Sequence, residues 1–278
     1  MTLVTVKETS ILDDIAKDAG ELLLTKYNEE LEEQQKGRGD YATSADIESE
    51  RRIITRLKEA NADYVVYAEE KLEDVKFPLR LGNDGILYVD PLEGTHNFRR
   101  KRKEFGFGVT LGLVRKDAPV YVVFYNPVTK ELYTAAKNGG AHLNGEPIHI
   151  SDRQERLDII FNHWPDRMYV GKYLDKLRGG NLNVRLTDYT PTSVSDGIDM
   201  WIVARGSADG LVYIFRKAAT WDLIHALGIE EAGGRVTNIK GGPWFIVKRD
   251  GSLEVRNSMI GGSPYVHSLL LQRYNPKT

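Results

Sequence analysis

The chain has 278 residues, 41% hydrophobic and 28% charged, so it can form a large core and its composition excludes a disordered or fibrous protein. Its 38 Lys and Arg residues against 40 Asp and Glu residues give a net charge of −2, which excludes general nucleic-acid binding through a positive surface. Cysteine is absent, which excludes disulfides, thiolate metal sites and cysteine nucleophiles.

The first half of the chain combines helices with a sheet. Apolar residues at helical spacing predict a helix from Thr9 to about Glu33, and after a break at Gly37–Asp40 a second helix begins at Ser44 and ends near Asn61. Turn signals then separate a series of predicted strands. These cover Tyr64–Ala68, Gly85–Asp90, Phe105–Val114, Val120–Tyr125, Glu131–Ala136 and a short segment near Ile148.

Beyond Ser151 the pattern changes to an alternation of strands and helices, which is typical of an α/β arrangement. The predicted strands are Ile159–Asn162, Val184–Thr187 and Gly210–Ile214, and the predicted helices are 166–177, 193–204, 222–232 and one near His267. We therefore predict two domains, 1–150 and 151–278.

The sequence shows no signal for secretion or for the membrane. The first twelve residues are polar and charged, and the longest apolar stretches run for about ten residues where a span requires roughly 20. We expect a soluble cytoplasmic protein with no membrane partner.

The segment from Tyr88 to Phe98 carries the strongest chemical signal. A hydrophobic strand ends at Asp90, Pro91 fixes the turn, and Glu93 follows where both carboxylates could converge on a hard cation. A helix could begin at Gly94-Thr95 with free N–H groups for phosphate oxygens. In isolation, an ordinary strand-to-helix connection explains the same residues equally well.

Further motifs accompany this segment in a defined order. Asp40-x-x-Thr43-x-x-Asp46 and Ala68-Glu69-Glu70 precede it, while Trp221-Asp222 and Glu230-Glu231-Ala232-Gly233-Gly234 follow it. Over nearly its whole length the chain resembles the inositol monophosphatase family, Mg-dependent and Li-sensitive sugar phosphatases related to fructose-1,6-bisphosphatase. The resemblance implies an α+β protein with the layered αβαβα sugar-phosphatase fold, in which an N-terminal α+β half carries most metal ligands and a C-terminal α/β half supplies Asp222 and substrate contacts.

The resemblance also implies a metal site. Its ligands would be the carboxylates of Glu69, Asp90, Glu93 and Asp222 and the backbone carbonyl of Leu92. The cofactor would be Mg²⁺, with Mn²⁺ as an alternative, because shared divalent ions let neighbouring carboxylates coexist despite their repulsion. The implied chemistry is in-line attack on a phosphate monoester by a metal-activated water.

Asp46 and Thr95 match the family residues that orient and deprotonate that water, and Gly94 with Thr95 would bind the phosphate. Thr95 as a helix N-cap and Asp46 as a first-turn helix carboxylate are the structural alternatives.

The expected substrate contacts depart from the family pattern. Ser195, Asp196 and Gly197 stand where the family has a small G-x-A stretch, and Phe215 replaces an acidic residue just before Arg216. His225, three residues after Asp222, is interpreted as a core residue, with an approach to the substrate as the alternative. We expect a small phosphorylated substrate, with inositol phosphates and fructose-1,6-bisphosphate as candidates and 3′-phosphoadenosine 5′-phosphate as the alternative.

Two features leave the function open. The basic run Arg99–Lys103 is interpreted as a solvated loop or as a grip on a second anionic group. Glu93 replaces the family's Asp and is longer by one methylene, about 1.5 Å. A catalytically impaired member that binds a phosphorylated ligand or a partner is therefore the second hypothesis. The resemblance, and not the sequence alone, implies a homodimer.

Overall fold

The computed structural model describes residues 4–37, 40–163, 167–177, 182–186, 195–215, 217–256 and 258–275. The chain forms two units. The first comprises Met1–Lys137 and His142–Glu146, and the second comprises Asn138–Ala141 and Pro147–Thr278.

Two capped helices begin the first unit. Helix α1 (Val6–Lys26) starts with a capping box between Thr5 and Glu8, and α2 (Ser44–Glu59) starts with one between Thr43 and Asp46. Both bury an apolar face against the sheet. The expected continuation of the first helix to Glu33 is wrong, because α1 ends at Lys26.

A hairpin of two strands follows α1, in the region where the sequence predicted the end of the first helix and an irregular break. Strands β1 (Glu33–Gly37) and β2 (Asp40–Thr43) pair antiparallel, with Gln35 opposite Tyr41. The register shifts between Gln35 and Gly37, so the pairing contains a bulge at this point. Sequence reasoning missed this hairpin.

The main sheet of the first unit contains the six predicted strands, at the same or slightly different bounds, and two short strands that were not predicted, Leu79–Arg80 and Gly140–Leu143. Its strands are β3 (Val65–Ala68), β4 (Leu79–Arg80), β5 (Ile86–Glu93), β6 (Gly108–Arg115), β7 (Ala118–Asn126), β8 (Glu131–Ala136), β9 (Gly140–Leu143) and β10 (Glu146–Ile148). Their order is β10-β9-β8-β7-β6-β5-β3-β4, and only β3 and β5 of the described ladders here run parallel. A short helix α3 (Thr95–Arg99) follows β5 directly.

The second unit combines helices with a mixed sheet. Its strands are β11 (Leu157–His163), β12 (Leu182–Leu186), β13 (Gly210–Ile214), β14 (Lys217–Ala218), β15 (Arg235–Asn238), β16 (Ile246–Val247), β17 (Leu253–Arg256) and β18 (Met259–Gly262). One sheet has the order β12-β11-β13-β18-β15 and the other β14-β17-β16. The helices are α4 (Arg167–Leu177), α5 (Asp196–Ala204), α6 (Thr220–Leu223), α7 (Ala226–Glu231) and α8 (Pro264–Tyr274).

Two details of the second unit differ from the prediction. The single helix expected over 222–232 is divided into α6 and α7. Strands β14 to β18 were not predicted, because all five are only two to four residues long and carry too few residues for a periodic signal. Within the described parts of the chain, no helix is long and apolar enough to cross a membrane.

Candidate metal and phosphate site

A bulge in β5 places two carboxylates on one face of the sheet. Asp90 pairs with Thr110 and Glu93 pairs with Gly108. The two residues between them on β5, 91 and 92, therefore stand opposite a single residue of β6, 109. Without the bulge, residues three apart on a strand would point to opposite faces. The bulge therefore puts Asp90 and Glu93 on the same side, where both are nearly fully buried.

Hydrogen bonds fix this turn from both sides. The backbone N–H of Leu92 donates to Oδ1 of Asp90 at 3.0 Å, and the hydroxyl of Ser49 donates to the carbonyl of Pro91 at 2.7 Å. The left-handed conformation of Gly94 (φ +86°) then leads into α3. The predicted helix start at Gly94-Thr95 is confirmed, although α3 is only five residues long.

Thr95 and Asp46 are in direct contact. Oγ1 of Thr95 lies 3.1 Å from Oδ1 of Asp46 and 2.8 Å from the carbonyl oxygen of Leu92. Gly94, and not Thr95, is the N-cap of α3, so the alternative of Thr95 as an N-cap is wrong. Asp46 does serve its helix, because its Oδ2 accepts from the backbone N–H and the hydroxyl of Thr43 at 2.7 and 2.6 Å. One carboxylate therefore combines a capping role with a contact to Thr95.

Burial changes the acidity of Asp46. Its side chain is almost completely buried, which raises its pKa to about 7; the charge of Glu69 adds to the increase and the hydrogen bonds from Thr43 oppose it. A carboxyl group with a pKa near 7 can accept a proton at neutral pH.

Glu69 and Glu70 follow β3 and meet a lysine that sequence reasoning missed. Nζ of Lys36, on the hairpin, lies 2.9 Å from Oε1 of Glu69 and 2.5 Å from Oε1 of Glu70. Burial, assisted by the charges of Glu69 and Asp46, raises the pKa of Glu70 to about 8 despite Lys36. Burial lowers the pKa of Lys36, but the two carboxylates outweigh it and raise that pKa above its usual value.

Glu50 supports these two residues from behind. Its buried carboxylate accepts from the backbone N–H groups of Glu70 at 2.8 Å and Leu72 at 3.3 Å. Asp46, Ser49 and Glu50 all lie on the buried face of α2. Polar residues at this helical spacing, where apolar ones are usual, are the signal that could have revealed Ser49 and Glu50.

The donor atoms of the first unit fit a hard divalent cation. Glu69, Asp90 and Glu93 offer carboxylate oxygens and Leu92 a carbonyl oxygen, which are the ligands that Mg²⁺ and Mn²⁺ prefer. Among the described residues, no three acidic or histidine side chains already form a metal-binding group. The ammonium group of Lys36 is instead the cation that meets Glu69.

The predicted residues of the second unit occupy defined positions. Asp222 lies in the first turn of α6, and Ser195 is the N-cap of α5, followed by Asp196 and Gly197. The carboxylate of Asp196 accepts from the amide of Asn162 at 2.8 Å. Arg216 lies outside the described residues. Convergence of Asp222 with the carboxylates of the first unit stays a prediction, as do the substrate contacts.

His225 is a core residue. It is completely buried, and Nε1–H of Trp201 donates to its Nδ1 at 3.0 Å. The interpretation of His225 as packing is therefore confirmed.

The residues of the basic run Arg99–Lys103 differ in their contacts and exposure. Arg99 pairs with Glu33 and stacks on the ring of Tyr41, while Nζ of Lys101 donates to the carbonyl of Tyr27 just after α1. Arg100 is exposed. The interpretation as a solvated loop is therefore wrong for Arg99, whereas Lys101 is exposed as that interpretation requires.

Comparison with known proteins supports the resemblance. The sequence profile described as the inositol monophosphatase family matches residues 6–272. An inositol-1-monophosphatase of Rhizobium meliloti (strain 1021) is 34% identical over 237 residues, covering 82% of this chain and 81% of that protein. The Nus factor SuhB of Xylella fastidiosa (strain Temecula1) is 31% identical over 236 residues, covering 84% and 82%.

A solved structure agrees with the fold. The extragenic suppressor protein suhB from Bartonella henselae superimposes with a TM-score of 0.78 at 27% identity, covering 97% of this chain and 99% of that one. The predicted α+β class is confirmed.

Proposed function

The chain belongs to the inositol monophosphatase family, and on that premise we propose that it is a Mg²⁺-dependent phosphatase of small phosphate monoesters. Inositol phosphates and fructose-1,6-bisphosphate are the proposed substrates, with 3′-phosphoadenosine 5′-phosphate as the alternative. A cytoplasmic homodimer is part of the proposal.

The observation that carries this proposal is the position of the Thr95 hydroxyl. It lies between the Asp46 carboxylate, at 3.1 Å, and the Leu92 carbonyl, at 2.8 Å, beside the bulge with Asp90 and Glu93. The hydroxyl proton of Thr95 can be donated to the Asp46 carboxylate or to the Leu92 carbonyl, while an oxygen lone pair accepts a hydrogen bond from an attacking water. Thr95 would orient that water, and Asp46 would receive its proton.

Glu69, Asp90, Leu92 and Glu93, together with Asp222, would hold the metal. When bound, the divalent ion would stabilise the charge on the phosphoryl group and lower the pKa of water. Gly94 and Thr95 would bind phosphate oxygens through their backbone N–H groups.

A phosphate-release screen on the purified full chain tests this function. We expect Mg²⁺-dependent or Mn²⁺-dependent turnover of at least one of the three proposed substrates, and its loss in Asp90→Asn. Arg51→Gln is the matched control, because it breaks an exposed ion pair with Asp74 away from the site. Release that persists in Asp90→Asn would contradict the proposal.

The second candidate function is binding without turnover. Glu93 in the position of an aspartate favours it, and so does the name Nus factor carried by a relative. Glu93→Asp separates the two. A silent wild type that gains turnover in this variant supports an impaired site, while a wild type that already hydrolyses a substrate excludes the binding-only function.

A further inference from the structure

One side chain holds both strands of the β1–β2 hairpin. The guanidinium group of Arg99 pairs with the carboxylate of Glu33 and lies 3.6 Å above the ring centre of Tyr41. Since Glu33 pairs with Thr43, and Tyr41 stands two residues before Thr43, Glu33 and Tyr41 share one face of the hairpin. The Arg99 side chain is only 10% exposed, so it is enclosed by these contacts.

The same hairpin delivers Lys36 to the acidic cluster. The register shift between Gln35 and Gly37 falls at Lys36, and a bulge redirects the side chain of the extra residue. Its Nζ thereby reaches Glu69 at 2.9 Å and Glu70 at 2.5 Å. These contacts join residues that are 33 and 34 positions apart, so they depend on where the hairpin lies.

We propose that Arg99 is a positioning residue that keeps Lys36 in competition with the divalent cation for Glu69. The inference rests on the proposed function, in which Glu69 is a metal ligand. An oxygen that accepts from the ammonium group is less available to a metal ion, and the ammonium charge repels the ion directly. Arg99 touches neither Glu69 nor Glu70 through any described contact, and acts by holding the hairpin.

Metal affinity measured without substrate tests this inference. We would titrate the full chain with Mn²⁺ alone, by calorimetry and by electron paramagnetic resonance, and identify the relevant site by its loss in Glu69→Gln. Lys36→Gln and Arg99→Gln should each lower the Kd for Mn²⁺ at that site, by about threefold to tenfold. The double variant should match Lys36→Gln alone, because Arg99 acts through Lys36.

Controls separate positioning from general damage. Arg51→Gln removes another arginine ion pair of the first unit and should leave the Kd unchanged. Arg99→Lys keeps the charge near Glu33 but loses the flat surface over Tyr41, so its Kd should fall between wild type and Arg99→Gln. Hydrogen exchange of the Glu33–Gly37 amides should accelerate in Arg99→Gln. If Arg99→Gln does not fold, Tyr41→Leu weakens the same contact and should shift the Kd in the same direction.

The outcomes are distinct. An unchanged Kd in folded Arg99→Gln, additive effects in the double variant, or a changed Kd without faster hairpin exchange would each overturn the inference and leave the proposed function intact. A wild-type chain that binds no Mn²⁺ would overturn the proposed function as well.

Discussion

Asp46 and Thr95 are the pair of residues on which the proposed reaction depends most directly. Removing the hydroxyl in Thr95→Val, or the proton acceptor in Asp46→Asn, should reduce kcat/KM for phosphate release by about 10²- to 10⁴-fold. Steady-state kinetics on the substrate found in the screen measures the effect. Thr55→Val is the control, because the hydrogen bond that the described part of the chain shows for this hydroxyl goes to the Arg51 carbonyl of its own helix. A Thr95→Val enzyme with wild-type kinetics would show that the hydroxyl has no role in the reaction.

Glu50 makes a second prediction at the scale of one residue. In Glu50→Gln, the new amide NH₂ group would face one of the backbone N–H groups of Glu70 and Leu72, which would lose its acceptor. We therefore expect a loss of about 1–3 kcal/mol in the free energy of unfolding. Urea unfolding followed by fluorescence gives the difference. The exposed Glu48→Gln on the same helix breaks only a surface pair with Lys26 and should cost less than about 1 kcal/mol. Equal effects in the two variants would mean that burial of Glu50 is unimportant.

Single residues were predictable where a motif marks them. Asp46, Leu92 and Thr95 belong to recognisable segments, and the structure brings all three into one hydrogen-bonded group. Lys36 and Glu50 lie outside those segments, and their roles arise from contacts 20 or more positions away in the chain. No local pattern encodes such contacts.

At the scale of elements, the connection from β5 to α3 depends on Gly94. An alanine there would adopt a positive φ, and its Cβ would lie 3.3 Å from the carbonyl oxygen of Gly106 and 3.4 Å from Cα of Phe107. Gly145 provides a matched control, because it has the same φ of +86° with nothing within 4 Å of an added Cβ.

We therefore expect both glycine-to-alanine variants to lose about 1–2 kcal/mol through backbone strain, and Gly94→Ala to lose more through crowding. Thermal and urea unfolding would measure both. Equal losses would indicate that the neighbouring turn adjusts freely.

Elements with a strong periodic signal were predicted well, and the hairpin was not. Strand β8 matches its predicted bounds, and β13 does as well. Strand β1 reads Glu-Gln-Gln-Lys-Gly, residues that are not typical of strands, and a two-stranded hairpin is barely stable alone. Its contacts with Arg99 arrive from 66 positions further along the chain.

At the scale of the whole molecule, the two units should lose stability in different ranges of acid pH. In the first unit, burial of Glu8 opposes its ionisation, but hydrogen bonds from Arg115 and Thr5 outweigh burial and lower its pKa to about 2. In the second unit, burial of His267, with the charge of Arg235, lowers its pKa to about 4.

The direction follows from proton binding to the unfolded chain. Histidine in the unfolded chain binds a proton below pH 6.5, whereas folded His267 stays neutral down to about pH 4. The free energy of unfolding of the second unit should therefore fall as the pH decreases from 6.5 to about 4. Glu8 stabilises the first unit above pH 4.5, and this contribution is lost as the pH falls to about 2.

Hydrogen exchange resolved by peptide and recorded at a series of pH values, corrected for the intrinsic rates, should show the second unit opening first. His267→Gln should reduce the pH dependence of exchange in the second unit between pH 6.5 and 4. Glu8→Gln should reduce the pH dependence of exchange in the first unit below pH 4.5. Weakening of both units over one shared window would contradict the assignment.

The family resemblance provided the fold class of the whole chain, which no single periodicity could have done. The order of strands within each sheet depends on long-range pairing, such as β13 beside β18, and local sequence does not determine it. The domain boundary near residue 150 stays a prediction, and so does the contribution of Asp222 to a shared metal site.

The extra residue in β5 also supplies backbone atoms to its neighbours. Replacing Pro91 or Leu92 changes one side chain. Deleting either residue would leave both carboxylates opposite Thr110 and Gly108, but it would remove the bulge that lets the Leu92 N–H group reach Asp90 and the Leu92 carbonyl oxygen reach Thr95. Distant relatives should therefore vary in the letters of this segment while tolerating no alignment gap within it.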